Sequence, residues 1–430
     1  MRRRFALIVP SFVAAAVSAT ACSDATAPDR SRSISPVAST ELDRSERHGD
    51  LRPFVALGTS ISMGWQSDGV IAATQSTSWP AQLAAMEDRT ITQPYIDDKG
   101  CRPPLAAPLA SFSRIDGESV GIPTEALPCA PLRPDVVKPV QNLAINAALT
   151  KDALFTTPEN ATDASNKQLI SRVLQPGMTQ VSSMIAQRPW RVSVELGGNE
   201  VLGARNGVAL EGVSMFPYEA WAPLYTTVLD QVDRVAKEAV VVGLIDDVAS
   251  FPAFRRGSEL YADALEFTPF NIVVGEDCKD NQNLLFVPVV VPTAVATAHA
   301  YAQAQAGPYT LHCTASPDAT AEDYTLTPSE AATVNNLLVR MTKHIRKEAH
   351  RHQFAYFALQ ALYGRPDIKG PFSAVTLMTT DHPYGSLISL DGVHPSAAGA
   401  KILAEAAANA LEARYEHHFR HDARREIASR

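Results

Sequence analysis

The run Ala239-Val240-Val241-Val242-Gly243-Leu244-Ile245 constrains the fold more than any other stretch of the chain. Its β-branched residues favour extended backbone, and it has no polar alternation that would let one face meet water. A strand of this kind belongs to a sheet covered on both sides. Phe54–Leu57 is a second apolar run, ending at Gly58. Arg191–Leu196 and Phe354–Leu359 also suit strands. Helical patterns lie between them: Trp79–Met86, residues 167–187, Tyr218–Val235, residues 328–350 and an Ala-rich stretch over 396–414. The fourth opens with Thr327-Pro328-Ser329-Glu330, which places Pro in the first turn. Strand and helix in alternation predict an α/β chain, a parallel sheet with helices on both faces. Ligands of such sheets sit at the carboxyl ends of the strands.

Two stretches break the alternation. Residues 88–135 are rich in Pro and hold Cys101 and Cys129. Residues 251–325 hold Cys278 and Cys313 and the apolar segment Asn283–Ala294, which either lines a groove or packs as a core strand. Both read as insertions into one domain. Four cysteines allow three pairings. Cys101 with Cys129 and Cys278 with Cys313 is the expected one, since each bond then staples one long irregular insertion. No close Cys or His pair accompanies them, so no metal site is expected.

Disulfides imply an oxidising compartment, and the N-terminus agrees. Met1-Arg2-Arg3-Arg4 is a basic start, followed by a mostly apolar stretch to Ala21 that is short for a membrane span. It ends in Ala19-Thr20-Ala21-Cys22, which resembles the lipidation site of bacterial lipoproteins, with Ala19 where Leu is usual. An ordinary secretory signal is the alternative. Residues 1–21 are expected to be removed; they hold three Arg and no acids, so the net charge falls from −8 to −11. Residues 22–50 are polar and Pro-containing and read as a disordered tether. The folded domain is expected over 51–415, with a polar tail over 416–430. No basic stripe interleaved with aromatics points to nucleic acid.

Ser389-Leu390-Asp391-Gly392-Val393-His394-Pro395 precedes the last helix and puts a carboxylate three residues before a histidine. A carboxylate held on an imidazole fixes its tautomer and stabilises the imidazolium that forms on proton transfer. Taken alone, the segment is equally an Asp-Gly turn beside a surface histidine. A base needs a nucleophile, and Gly58-Thr59-Ser60 offers one at the end of the first strand. It is not a Gly-x-Ser-x-Gly elbow, because Ser62 stands at the last position. Leu196-Gly197-Gly198-Asn199-Glu200 follows another strand. It suits a tight turn, and the Asn199 amide is a candidate donor to a developing oxyanion. Asn142–Ala147 reads as a strand-to-loop junction whose last backbone N–H is a second candidate donor. Asp381-His382 has the wrong spacing; His344, His350 and His352 lie on a Lys/Arg-rich helix end and His417, His418 and His421 in a polar tail, and both groups read as solvated rather than as metal ligands.

The order Ser60, Asn142–Ala147, Asn199, Asp391 and His394 resembles the four sequence blocks of the SGNH/GDSL hydrolase superfamily, over roughly residues 53–414. The resemblance implies a three-layer α/β/α sandwich on a flavodoxin-like parallel sheet. It also implies cleavage of carboxylic esters through an acyl-enzyme, without a cofactor. Ser60 would attack, His394 would act as base and Asp391 would orient it. The oxyanion would lie among the Ser60 N–H, the Ala147 N–H and the Asn199 side chain. Three departures stand out. Thr59 replaces the family's Asp, Ala147 its Gly, and Glu200 the Asp after the Asn. A positive φ at Ala147 would strain an alanine. A lipid or other small ester is the expected substrate, with a lipid anchor at Cys22 tying the protein to the membrane. Two alternatives remain open at this point: a carbohydrate O-deacetylase, for which Trp65 and Trp79 are the stacking candidates, and a non-catalytic surface lipoprotein that keeps the fold.

Overall fold

The computed structural model describes residues 53–120, 129–415 and 419, all within the compact unit Asp50–Arg430. The expected signal segment, the tether, Cys22, most of the C-terminal tail and His417, His418 and His421 lie outside the described residues.

In chain order the strands are β1 (Phe54–Gly58), β2 (Arg191–Glu195), β3 (Glu238–Gly243), β4 (Phe254–Arg256), β5 (Ile272–Val274), β6 (Leu284–Phe286), β7 (Tyr309–Leu311), β8 (Thr325–Leu326) and β9 (Ala355–Ala358). The main sheet is parallel, in the order β1-β2-β3-β9. Every residue of β1, β2 and β3 is buried. The segment around Asn142 continues the sheet beyond β1. Ala56 and Asn142 form a parallel bridge, and the Leu143 and Ile145 N–H groups donate to Ala56 O and Gly58 O at 2.9 and 3.1 Å. Counting this segment by its place in the chain, the order is that of flavodoxin-like sheets.

Helices cover both faces. On one, Ala397–Tyr415 packs against Trp79–Ala85 and β9. On the other, Pro328–Arg351 packs against Tyr218–Val235 and β3, with Thr150–Phe155 and Gln180–Gln187 alongside. The long helix begins as its sequence predicts: Thr327 accepts from Glu330 N while Glu330 accepts from Thr327 N at 2.8 Å, a reciprocal cap ahead of Pro328.

Two local expectations are revised. Residues 167–187 form two helices, Ala164–Val173 and Gln180–Gln187. Pro176 lacks an N–H, and Gly177 adopts φ +72°, a conformation that ends a helix rather than continues it. The apolar segment Asn283–Ala294 is a strand and a helix in succession. β6 pairs antiparallel with β4 and β8, and Val287–Gln303 then begins with Pro in its first turn, where a missing N–H costs nothing. The disulfides pair Cys101 with Cys129 and Cys278 with Cys313, so each closes one of the two insertions.

Candidate active site

Three segments meet at the carboxyl edge of the sheet. β1 ends at Gly58, and Ser60 opens the short helix Ser60–Met63. β2 ends at Glu195, and the chain turns through Gly197 at φ +114° before Asn199. The third segment precedes the last helix. There Gly392 N donates to Ser389 O at 3.0 Å, and Gly392 adopts φ +72°. A Cβ at Gly392 would lie 2.8 Å from the Tyr384 ring, so only glycine lets the chain double back here. The turn aims Asp391 and His394 at Ser60, more than three hundred residues away in sequence. Tyr363 Oη secures the same loop by donating to Val393 O at 2.6 Å.

His394 Nδ1 lies 2.9 Å from Asp391 Oδ2, and His394 Nε2 lies 2.9 Å from Ser60 Oγ. A carboxylate only accepts, so the ring proton belongs on Nδ1 and donates to Asp391. That leaves the Nε2 lone pair to accept from the Ser60 hydroxyl. All three side chains are buried. Asp391 also accepts from Ser389 Oγ, Val393 N and His394 N through Oδ1, at 3.1, 2.9 and 2.8 Å. Asp68 N donates to its Oδ2 at 2.8 Å. Burial opposes ionisation of this carboxyl, but the facing His394 and the converging N–H donors outweigh it and hold Asp391 well below the usual carboxylate range.

Asn199 reaches the same place. Its Nδ2 donates to Ala148 O at 2.9 Å, which ties it to the end of the Asn142–Ala147 segment. An amide carries two donor hydrogens, so one remains. Ala147 adopts φ +59°, the left-handed conformation its sequence position raised. It lines a second hollow of about 350 Å³ rather than the cavity that holds Ser60. Asn142 is structural: Nδ2 donates to Ser62 O and Gln93 Oε1, both at 2.9 Å. Glu200 is buried and accepts from Thr150 N at 2.6 Å, and burial pushes its carboxyl up.

Ser60, Asn199 and His394 open onto a cavity of about 80 Å³, walled mainly by apolar side chains including Leu244, Ile245, Phe251, Phe254, Phe286 and Leu338. Phe286 comes from the apolar segment Asn283–Ala294, so that segment both packs in the core and lines the site. Arg205 stands exposed at this cavity, its guanidinium 6.0 Å from the Phe286 ring centre. Trp65 and Trp79 are both buried and line neither hollow. Asp381 and His382 are exposed.

One site residue was missed in the sequence reading. Glu195, the last residue of β2, is buried beneath the Ser60 loop and lines its cavity. The available signal was a carboxylate closing an otherwise buried strand. It accepts from Thr59 N at 3.0 Å, Thr59 Oγ1 at 2.8 Å, Ser62 N at 3.3 Å and Ser62 Oγ at 3.0 Å. Burial is the largest influence on it and pushes its carboxyl up, against the pull of these donors.

A family model described as GDSL-like Lipase/Acylhydrolase matches residues 54–407. Among curated proteins, none matches the chain. Among solved structures the chain is similar to an acetylxylan esterase from Geobacillus stearothermophilus, at 12% identity and a TM-score of 0.34, covering 83% of this chain and 93% of that one. It is also similar to an extracellular lipase from Streptomyces rimosus, at 14% identity and a TM-score of 0.30, covering 82% of this chain and 98% of that one.

Proposed function

Because the chain belongs to the GDSL-like lipase/acylhydrolase family, we propose that it hydrolyses carboxylic esters with Ser60 as nucleophile, His394 as base and Asp391 as the group that orients the base. The observation that carries this reading is the unbroken chain of hydrogen bonds from Asp391 through His394 to Ser60, each link 2.9 Å, at the mouth of an apolar cavity. His394 Nε2 takes the Ser60 proton as Oγ attacks the ester carbonyl carbon. The carbonyl π-electrons move onto oxygen, where the Ser60 N–H and the free hydrogen of the Asn199 amide are the proposed donors; Ala147, the third donor expected from the sequence, lines the other hollow. The tetrahedral intermediate expels the alcohol, which takes the proton from His394 and leaves an acyl group on Ser60. Water then adds to the acyl carbonyl, giving its proton to His394. Collapse of this intermediate returns that proton to Ser60 Oγ and frees the acid.

The apolar walls support an acyl chain longer than acetyl as the preferred substrate. Each buried methylene contributes about 0.8 kcal/mol, so the rate against a series of acyl chains with one aryl leaving group reads the cavity directly. Turnover is expected to rise from acetyl upward and to vanish in Ser60→Ala. Acetyl preference would remove the acyl-chain reading, and activity in Ser60→Ala would remove the nucleophile.

The two disulfides fit an exported protein. No helix among the described residues is long and apolar enough to cross a membrane. Attachment through a lipidated Cys22 is part of the proposal and would place the site beside lipid esters. Detergent-phase partitioning of the expressed protein checks it. Wild type is expected in the detergent phase and Cys22→Ser in the aqueous phase; equal partitioning would remove the anchor.

A further inference from the structure

We infer that Glu195 is a positioning residue for the nucleophile: a buried carboxylate on β2 that clamps the residues on either side of Ser60 and so holds its hydroxyl within reach of His394. This rests on the reading of Ser60 as nucleophile.

The donors to Glu195 come from Thr59, immediately before Ser60, and from Ser62, two residues after it. All are N–H or O–H groups, so neutral donors rather than a cation satisfy this carboxyl. Trp79 Nε1 donates to Ser62 Oγ at 3.0 Å, which leaves the Ser62 proton free to point at Glu195. Asn142 Nδ2 holds Ser62 O at 2.9 Å. The segment is tight as well as bonded. A Cβ at Gly58 would lie 2.5 Å from Ser62 Oγ and 3.2 Å from Glu195 Oε2. Thus the segment bearing Ser60 is fixed from the strand behind it, while His394 is fixed by the loop in front of it.

The chemistry explains why a carboxylate stands there. Thr59 N and Ser62 N both converge on Oε2. An apolar side chain at position 195 would leave two buried N–H groups without acceptors, which is costly. The loop would then move to find others, and Ser60 Oγ would leave its 2.9 Å approach to His394. Thr59 belongs to the same device. Its hydroxyl donates to the carboxyl at 2.8 Å, where an Asp would set a second carboxyl against the first. The departure from the family's Asp at this position and the buried Glu195 are therefore one paired arrangement.

Steady-state kinetics on a short-chain aryl ester test this, with thermal unfolding and the rate of Ser60 phosphonylation by an organophosphate measured alongside. Misplacing a reacting group by about 1 Å costs roughly a hundredfold. Glu195→Leu is expected to lose about that much in kcat and in phosphonylation rate, with KM little changed. Glu195→Gln can keep an acceptor oxygen at the position of Oε2, where Thr59 N and Ser62 N donate, and lets Thr59 Oγ1 turn to accept from the new amide, so it should recover most of the loss. Thr59→Asp should be slow, and Thr59→Asp with Glu195→Gln faster than Thr59→Asp alone. If Glu195→Leu does not fold, the Gln and Thr59 variants decide by the same rates. The inference is overturned if Glu195→Leu retains wild-type kcat, or if the double variant shows no recovery. Wild-type protein that turns over no ester and takes no adduct at Ser60 would instead overturn the function on which the inference rests.

Discussion

Asp391 and Glu195 are both buried carboxyls, both receive several hydrogen bonds, and both hold a segment that carries a proposed reacting group. They differ in one partner. Asp391 faces an imidazole and is held well below the usual carboxylate range in spite of its burial. Glu195 faces only neutral donors, and burial pushes it up. In the proposed mechanism the first carries charge that compensates the imidazolium formed in each turnover. The second is built to accept hydrogen bonds and keep a loop still. A buried carboxylate is therefore read by its partners, not by its burial.

Substitutions can break this contrast, beginning with the largest effect. His394→Ala should remove the base outright and lower kcat by about 10⁶-fold, measured on the same aryl ester. Asp391→Asn should cost about 10⁴-fold, because an amide at this position no longer fixes the Nδ1–H tautomer. The same substitution has a pH signature. The folded-state pKa of Asp391 is depressed, so its stabilising contribution is present above the unfolded value of about 3.9 and is lost as pH falls through the lower folded value. The stability gap between wild type and Asp391→Asn, read by denaturant titration, should be full near neutrality and shrink only in strong acid. Asn199→Ala should slow the reaction by roughly 10²-fold if its free amide hydrogen meets the oxyanion. Phe286→Ala should act mainly on acyl-chain preference, flattening the rise from acetyl to longer chains by a factor of about ten per lost contact. A Phe286→Ala enzyme with unchanged chain preference would separate the cavity from the acyl group.

Much of this was legible from residues alone. The apolar runs at Phe54, Arg191, Ala239 and Phe354 located the four parallel strands to within about a residue or two at each end, as strand-length hydrophobic runs should. The meeting of Ser60, Asp391 and His394 was legible because their motifs follow the order of the family's blocks and flank strand and helix ends, where a parallel sheet puts its ligands. The break at Pro176-Gly177 is masked in the sequence because apolar spacing continues across it, although proline and glycine stop the helix. Glu195 escaped notice for a different reason. Its significance comes from the parallel pairing of β1 with β2, which sets Gly58 beside Glu195, and no local pattern encodes a contact across 136 residues. The cavity was equally hidden, since Leu244, Phe254, Phe286 and Leu338 come from four separate elements or loops. Residues 344–352 read as a solvated helix end, yet His344 packs on Trp221 and Tyr225, and the His352 side chain is mostly buried beside Asp230.

The measurement closest to the central claim is peptide mass mapping after treatment with an organophosphate. The adduct is expected on the peptide carrying Ser60 in the wild-type protein and is expected to be lost in His394→Ala, which keeps the serine but removes its base. An adduct on another serine, or undiminished labelling of Ser60 without His394, would contradict the account.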